Sequence, residues 1–246
     1  MISVALLKET ARKTGLTLYQ QEKDYLLKLF LYNYFTKYDD AVFKGGTCIR
    51  YLFGLNRFSE DLDFNISIPP ERFQEQVEKT AEAIRLIGMD TYLIKEEQFE
   101  ESYTCEIGFH GLLYRGTEQT RNKFRIDARK RTGIIHEPEW DLIESEYPET
   151  KAYFLVKAMN EEEMMAEKII SLIERGKGRD LYDVWFLLKK GVKVDRELLR
   201  KKSPSQLQWN SLPSEKEYRR DMERLTSRAI PYEQVAADVR EELRTL

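Results

Sequence analysis

The chain has 246 residues, enough for one large domain or two small ones with a buried hydrophobic core. Hydrophobic residues make up 41% and charged residues 34% of it, which predicts a soluble globular protein with a heavily charged surface, and the 12% of aromatic residues argues against a disordered chain. The net charge of -3 argues against indiscriminate nucleic-acid binding, and no membrane span or signal peptide is evident, so we expect a cytoplasmic protein without a membrane partner.

Cysteine and histidine are scarce in this chain. Cys48 and Cys105 are far apart and form no CxxC motif, and the only histidines are His110 and His136. This inventory argues against a structural zinc site, a disulfide scaffold and a catalytic triad built on histidine. Any catalysis is therefore expected to depend on carboxylates, lysines and a metal ion.

The N-terminal part of the chain is predicted to be helical. Residues 1–36 contain few helix breakers and carry apolar residues at helical spacing, with Gly15 as the break between helices. Residues 41–44 then form a short apolar segment that predicts a strand.

A glycine pair, Gly45-Gly46, separates this strand from the next predicted helix. The helix is expected to run from Thr47, as its N-cap, to Phe53, with Gly54 ending it. Two glycines let a backbone approach a phosphate closely, and the first turn of a helix supplies N–H donors and a positive dipole end. The alternative is an ordinary tight turn with a threonine cap. Neither a Walker-type P-loop nor a GxGxxG dinucleotide motif is present.

Residues 61–68 alternate completely between polar and apolar, which predicts a half-buried strand. Asp61 and Asp63 then project to the same side, about 6.6 Å apart along the strand. Rigidly held carboxylates suit Mg²⁺, and a pair of ions stabilises the attacking and leaving oxygens of a displacement at phosphorus. Asp127 is the expected third carboxylate and Glu106 the alternative. By itself, an Asp-x-Asp pair is also typical of a solvated strand face.

The rest of the chain completes an α+β pattern. A helix is predicted at 71–87 and strands at 103–110 and 122–130. Beyond Pro148 the pattern is helical throughout, with helices at 161–175, 179–190, 195–202, 215–228 and 232–244. We therefore predict a small mixed sheet flanked by helices in a domain spanning residues 1–148, followed by a helical domain spanning residues 149–246.

Two sequence blocks resemble those of the AbiEii/AbiGii toxin family of nucleotidyltransferases, from abortive-infection and type IV toxin–antitoxin systems. The first is Lys44-Gly45-Gly46-Thr47 followed by Arg57-Phe58-Ser59-Glu60-Asp61-Leu62-Asp63-Phe64. The second is Glu167-Lys168 followed by Arg179-Asp180-Leu181-Tyr182-Asp183. Because that family belongs to the DNA polymerase β-like superfamily, the resemblance implies a polymerase β-like nucleotidyltransferase core.

The resemblance also implies a role for the matching residues. The nucleotide-binding candidates are Lys44, Gly45, Gly46, Thr47, Arg57, Ser59 and Lys168. Asp61 and Asp63 would bind Mg²⁺, and Lys168 would contact the triphosphate. Asp180 or Asp183 would order the nucleotide or the attacking hydroxyl. From the residues alone, Lys168 could equally be a lysine snorkelling at a helix edge, and Arg179 and Asp183 a surface ion pair.

Charge is distributed unevenly along the chain. Residues 115–131 carry seven Lys and Arg against two acids, net +5, and residues 189–228 carry twelve against six, net +6. Residues 137–167 carry two against ten, net -8. Two basic segments around an acidic metal site suit a polyanion, although charged helix faces for solubility would explain them too.

Some members of the resembled family transfer nucleotides to the tRNA acceptor end. The resemblance therefore implies Mg²⁺-dependent transfer of a nucleoside monophosphate from an NTP to an RNA 3′ end, with tRNA as the expected acceptor. The alternatives are transfer to a protein or small-molecule hydroxyl, and a non-catalytic NTP- or RNA-binding regulator. The acidic segment could bind a basic cognate antitoxin.

Overall fold

The computed structural model describes residues 2–130, 133–203, 212–226 and 230–244. Within this part of the chain, helices and a seven-stranded mixed sheet form two compact units. The first unit comprises Met1–Leu52, Glu60–Thr132 and Pro138–Ala158, and the second comprises Phe53–Ser59, Gly133–Glu137 and Met159–Leu246. No helix among the described residues is both long and apolar enough to cross a membrane.

The sheet lies in the first unit. Its strands are β1 (Ala41–Lys44), β2 (Asp61–Ile66), β3 (Asp90–Phe99), β4 (Ser102–His110), β5 (Asn122–Lys130), β6 (Glu139–Glu144) and β7 (Tyr153–Ala158), in the spatial order β3-β4-β5-β2-β1-β7-β6. The accompanying helices are α1 (Val4–Thr14), α2 (Leu18–Phe35), α3 (Gly45–Phe53) and α4 (Pro70–Leu86). Strand β2 is therefore central, antiparallel to β1 and parallel to β5.

The N-terminal helices begin and end as the local sequence dictates. The Ser3 hydroxyl accepts a hydrogen bond from the Leu6 N–H at the start of α1, and Gly15 ends that helix with a φ of 74°. Thr17 and Gln20 form a capping box at the start of α2. The predicted break at Gly15 is thus confirmed.

An aromatic cluster packs behind β2. The ring of Phe64 lies 5.7 Å from Phe43, 5.9 Å from Tyr34 and 5.9 Å from Phe73, and all four side chains are buried. Burial of such rings contributes much of the hydrophobic stabilisation of a core. Since side chains alternate along a strand, fixing Phe64 inward holds the neighbouring aspartates on the opposite face.

The second unit is helical, with α5 (Glu161–Arg175), α6 (Gly178–Lys189), α7 (Arg196–Lys202), α8 (Glu215–Glu223) and α9 (Tyr232–Leu243). The prediction that the chain is entirely helical beyond Pro148 is wrong, because β7 is a strand that pairs in parallel with β1. Helix α8 ends before the predicted Arg228, and residues 227–229 lie outside the described part of the chain. The last segment of the second unit begins at Met159.

Candidate active site

The two aspartates of β2 meet the glycine turn, Gly45-Gly46, that follows β1. Lys44 lies opposite Asp63 in the antiparallel β1–β2 register. Gly45 has a φ of 79°, and a Cβ added there would lie 2.1 Å from Oδ2 of Asp63. Only glycine fits such a position, because a side chain would be strained by the backbone angle and would collide with the carboxylate. The turn and the Asp-x-Asp strand therefore form one structural feature.

Helix α3 begins at Gly45 rather than at Thr47, so the prediction of Thr47 as the N-cap is wrong. The Thr47 side chain is fully buried, and its hydroxyl donates a 2.6 Å hydrogen bond to the main-chain carbonyl of Asp61. This bond ties the first turn of α3 to the start of β2. Gly54 follows the last helical residue with a φ of 75°, which confirms that α3 ends there.

Asp127 lies directly opposite Asp63 in the parallel pairing of β2 and β5. Neighbouring strands are about 4.8 Å apart, so the two residues are adjacent on the same face. Oδ1 of Asp127 accepts hydrogen bonds of 2.8 Å from Thr104 Oγ1 and from Arg125 Nη2. Glu106 lies opposite Arg125, one strand farther from β2. The register thus brings Asp127, rather than Glu106, next to Asp63.

The three carboxylates provide the all-oxygen donor set that Mg²⁺ prefers. In the described part of the chain, however, only one group of three ligand-type side chains has donor atoms within 4.8 Å of one another, and it lies in the second unit. Asp61, Asp63 and Asp127 share a face without converging that closely. Metal binding by all three would require side-chain rotation toward a common point.

Basic side chains share this face of the sheet. Lys123, Arg125 and Arg129 alternate with buried residues along β5, on the same side as Asp127, and all three are exposed. They belong to the basic segment predicted at 115–131, of which residue 131 lies outside the described residues. In the second basic segment, 189–228, residues 204–211, 227 and 228 are also outside them.

The second sequence block forms a buried ion cluster within the second unit. Asp183 is fully buried, and Arg57 binds it through two hydrogen bonds of 2.6 Å, Nε to Oδ1 and Nη2 to Oδ2. Lys168 Nζ lies 2.7 Å from Oδ2 of the same carboxylate. The alternative of a surface ion pair between Arg179 and Asp183 is therefore wrong.

Asp180 extends the cluster. This carboxylate is also fully buried, and Arg175 binds both of its oxygens at 2.7 and 2.8 Å, with Lys168 Nζ at 3.9 Å. Ser59 is partly exposed. The structure thus shows Arg57, Lys168 and both aspartates held by ion pairs to one another. Their contact with a nucleotide stays a prediction.

Sequence reasoning missed the Arg57–Asp183 pair because the two residues are 126 positions apart. A signal was nevertheless present in α6. From Asp180 to Leu187 this helix carries mainly apolar residues around its circumference, and all eight are buried. A helix that is apolar all round is buried, and a carboxylate on such a helix requires a cationic partner. Arg57, a few residues before the Asp-x-Asp strand, was a candidate for that partner.

The pKa of Asp183 reflects this surrounding. Burial by itself would raise the pKa, but Arg57 and Lys168 outweigh burial and lower it to about 2. A carboxylate with a depressed pKa stabilises the fold above its unfolded pKa and loses that contribution as the pH falls toward the folded value. The stabilisation is therefore complete above about pH 4 and is lost between about pH 4 and pH 2.

We expect Asp183→Asn to lower the free energy of unfolding at pH 7 by about 3 kcal/mol, because it leaves Arg57 and Lys168 buried beside a neutral group. The deficit relative to the unmodified protein should shrink by about 2 kcal/mol on acidification from pH 4 to pH 2. Urea unfolding at stepped pH measures both. Glu215→Gln, at an exposed pair with Arg219, is the control with little expected effect. If the difference in unfolding free energy between Asp183→Asn and the unmodified protein did not change with pH, the depressed pKa of Asp183 would be contradicted.

The central strand β2 carries Asp-x-Asp and follows a strand, a glycine turn and a helix, which is the arrangement that the resemblance to nucleotidyltransferases implied. The family model described as "Nucleotidyl transferase AbiEii toxin, Type IV TA system" matches residues 29–246. The chain belongs to this family of nucleotidyltransferase toxins. No curated protein matches the sequence.

Three of the solved structures with a similar fold come from two bacteria. MenT4, a nucleotidyltransferase toxin from Mycobacterium tuberculosis H37Rv, superposes with a TM-score of 0.69 at 20% identity over 98% of this chain and 88% of its own. JHP933 from Helicobacter pylori superposes with a TM-score of 0.62 at 18% identity, over 92% of this chain and 90% of its own. A putative nucleotidyltransferase from H. pylori superposes with a TM-score of 0.60 at 18% identity, over 91% of this chain and 92% of its own. All three structures share the overall fold of this chain.

Proposed function

We propose that this protein transfers a nucleoside monophosphate from an NTP to the 3′ hydroxyl of an RNA, with the tRNA acceptor end as the acceptor, in a reaction that depends on two Mg²⁺ ions. The acceptor oxygen bonds to the α-phosphorus, and pyrophosphate leaves. The observation that carries the proposal is the close approach of Gly45 to the Asp63 carboxylate. It joins the backbone suited to a triphosphate with the carboxylates suited to its metal ions.

In this proposal Asp61, Asp63 and Asp127 hold the metal. Bound Mg²⁺ would supply charge stabilisation at the phosphate oxygens. The N–H groups in the first turn of α3, from Gly45 and Gly46 onward, have no partner within the helix and would receive the phosphates. The Thr47 hydroxyl, which is bonded to the Asp61 carbonyl, would position the turn.

The other residues predicted to contact the nucleotide are also part of the proposal. Lys44 lies beside Asp63 in the register and would contact the phosphates. Ser59 would shape the phosphate pocket. Arg57 and Lys168 are engaged with Asp183, so we propose that they act chiefly by fixing the second block, in which Asp180 and Asp183 would order the nucleotide or the attacking hydroxyl.

The acceptor is proposed to be RNA because β5 places basic residues on the same face as the candidate metal ligands. Arg125 and Arg129 are exposed on either side of Asp127. Such a row would bind the backbone phosphates of a polyanion near the metal. As a member of a type IV toxin–antitoxin family, the protein is also proposed to have a cognate antitoxin, with the acidic segment 137–167 as its candidate surface.

The test is incubation of the purified protein with Mg²⁺, total RNA and each radiolabelled NTP separately. We expect one NTP to label tRNA, and periodate oxidation of the tRNA 3′ end to prevent labelling. If a protein or a small molecule is labelled instead, the acceptor is a hydroxyl group of that molecule and not the RNA 3′ end. If no species is labelled while NTP or RNA still binds, the protein is a non-catalytic regulator and the proposal fails.

A further inference from the structure

Three ligand-type side chains converge in the second unit, outside the residues assigned to nucleotidyl transfer. One donor atom each from His136, Glu162 and Asp195 lies within 4.8 Å of the other two, and all three residues are partly exposed. They come from three separate segments. His136 is in the connection between β5 and β6, Glu162 is in the first turn of α5, and Asp195 directly precedes α7.

The segment that carries His136 is held in place by a buried carboxylate. Glu163 is fully buried, and its two oxygens accept hydrogen bonds from the backbone N–H groups of Ile135, at 2.9 Å, and His136, at 3.0 Å. Lys202 Nζ lies 2.8 Å from the Glu163 carboxylate and donates a 2.8 Å hydrogen bond to the carbonyl of Gly133. The backbone leading into His136 is thus tied to Glu163 of α5 and Lys202 of α7, the helices that carry or follow the other two ligands.

Asp195 is oriented independently of His136. Its Oδ1 accepts hydrogen bonds from the backbone N–H groups of Glu197, at 2.8 Å, and Leu198, at 3.0 Å. Both bonds end on one oxygen, which leaves Oδ2 as a ligand atom. Supporting hydrogen bonds of this kind are what fixes the ligands of a metal centre.

The donor set indicates the class of ion. Two carboxylates lie close together here beside a nitrogen ligand, and a cation between them would offset their mutual repulsion. Imidazole nitrogen is a ligand for zinc and similar transition metals, whereas Mg²⁺ selects oxygen. Donors bound at 2.0–2.2 Å to a tetrahedral Zn²⁺ are about 3.3–3.6 Å apart, a separation that donor atoms already within 4.8 Å of one another can reach by side-chain rotation.

We propose that His136, Glu162 and Asp195 bind a Zn²⁺-class divalent ion that links the β5–β6 connection to α5 and α7. Three protein ligands leave at least one coordination position for water, unlike a closed cysteine-rich zinc site. The sequence argument against zinc rested on the lack of cysteine motifs and of histidine pairs. A site assembled from positions 136, 162 and 195 has no sequence motif and escapes that argument.

The two histidines of the chain make the site directly observable. Proton–nitrogen NMR of the imidazole rings, on protein without a histidine tag, resolves His136 from His110, which serves as an internal control. His110 is bonded to Asp90 at 2.8 Å and stacks on the ring of Tyr114 at 3.9 Å. We expect stoichiometric Zn²⁺ to shift the His136 resonances and leave those of His110 unchanged, and an equal concentration of Mg²⁺ to shift neither.

Matched variants test the two carboxylates. Glu162→Gln and Asp195→Asn should each weaken Zn²⁺ binding at least about tenfold, as read from the His136 shift. Asparagine remains a good N-cap, so the second variant keeps α7 intact. Glu161→Gln removes an equal charge from the same helical turn and should leave the affinity unchanged. Circular dichroism verifies that each variant is folded.

Failure of this proposal is distinguishable from failure of the proposed function. Asp63→Asn should leave the response of His136 to Zn²⁺ intact, because Asp63 is not one of the three proposed zinc ligands. The proposed zinc site would be overturned if Zn²⁺ shifted the resonances of both histidines together. It would also be overturned if the His136 resonances shifted only once Zn²⁺ reached millimolar concentration. An unchanged affinity in folded Glu162→Gln would overturn it as well.

Discussion

Gly45→Ala is expected to reduce nucleotide incorporation by at least about 100-fold, since displacing a reacting geometry by 1 Å can cost that much. The added Cβ would lie 2.1 Å from Oδ2, 2.8 Å from Cγ and 3.0 Å from Cβ of Asp63. No small shift of the carboxylate relieves all three contacts. The aspartate or the turn must therefore move, and the predicted phosphate-binding backbone separates from the predicted metal ligands.

Gly54→Ala is the matched control for this experiment. Gly54 has nearly the same backbone angle, with a φ of 75°, but an added Cβ there meets nothing within 4 Å. Both substitutions should cost about 1–2 kcal/mol of stability from the left-handed conformation alone. Only Gly45→Ala should lose activity in the labelled-nucleotide assay at a temperature where both variants are folded. Equal activity of the two variants would show that the contact with Asp63 is irrelevant to catalysis.

Asp63→Asn should abolish Mg²⁺-dependent incorporation and weaken Mg²⁺-dependent NTP binding. Asparagine keeps the shape of the side chain and its position on β2, but removes the charge that binds the metal. A metal ion contributes several kcal/mol of charge stabilisation, so a loss of activity of at least about 100-fold is expected. Calorimetric titration with NTP and Mg²⁺ measures the binding, and urea unfolding verifies that stability is retained.

A neighbouring acidic residue provides the control for Asp63→Asn, because its substitution shows the effect of losing a negative charge that is not a proposed metal ligand. Glu60→Gln removes one negative charge a few residues away, from an exposed side chain paired with Lys23. We expect its activity and NTP binding to stay within about twofold, because Glu60 is not one of the proposed metal ligands and its carboxylate is paired with the buried Lys23. If Asp63→Asn and Glu60→Gln bind NTP and turn it over equally, Asp63 is not a metal ligand.

Local patterns predicted the elements around the site. The strand at 41–44, the glycine turn and the alternating strand at 61–68 are each determined by neighbours in sequence, and the structure has β1, α3 and β2 there, with β2 ending at Ile66. The pattern of apolar positions also predicted that Leu62, Phe64 and Ile66 face inward, and all three are buried. For such segments, alternation and turn chemistry suffice.

Strands β3 and β7 were missed, for different reasons. Strand β3 lies at an edge of the sheet and is mostly exposed, with Lys95, Glu96 and Glu97 obscuring any alternation. Strand β7 reads Tyr-Phe-Leu-Val-Lys-Ala, a short apolar run that periodicity cannot distinguish from part of a helix. Its extended form is stabilised by β6 on one side and β1 on the other, which no local signal reports.

The placement of β1 between β2 and β7 determines when the sheet around the candidate metal ligands can form during synthesis. The ribosome releases the glycine turn and both β2 aspartates early, but Asp127 arrives with β5, and β1 gains its second neighbour only when Ala158 has been made. A growing or truncated chain that stops before Asp127 carries the Asp-x-Asp motif without the third proposed metal ligand. Such a fragment should be harmless to the cell that makes it.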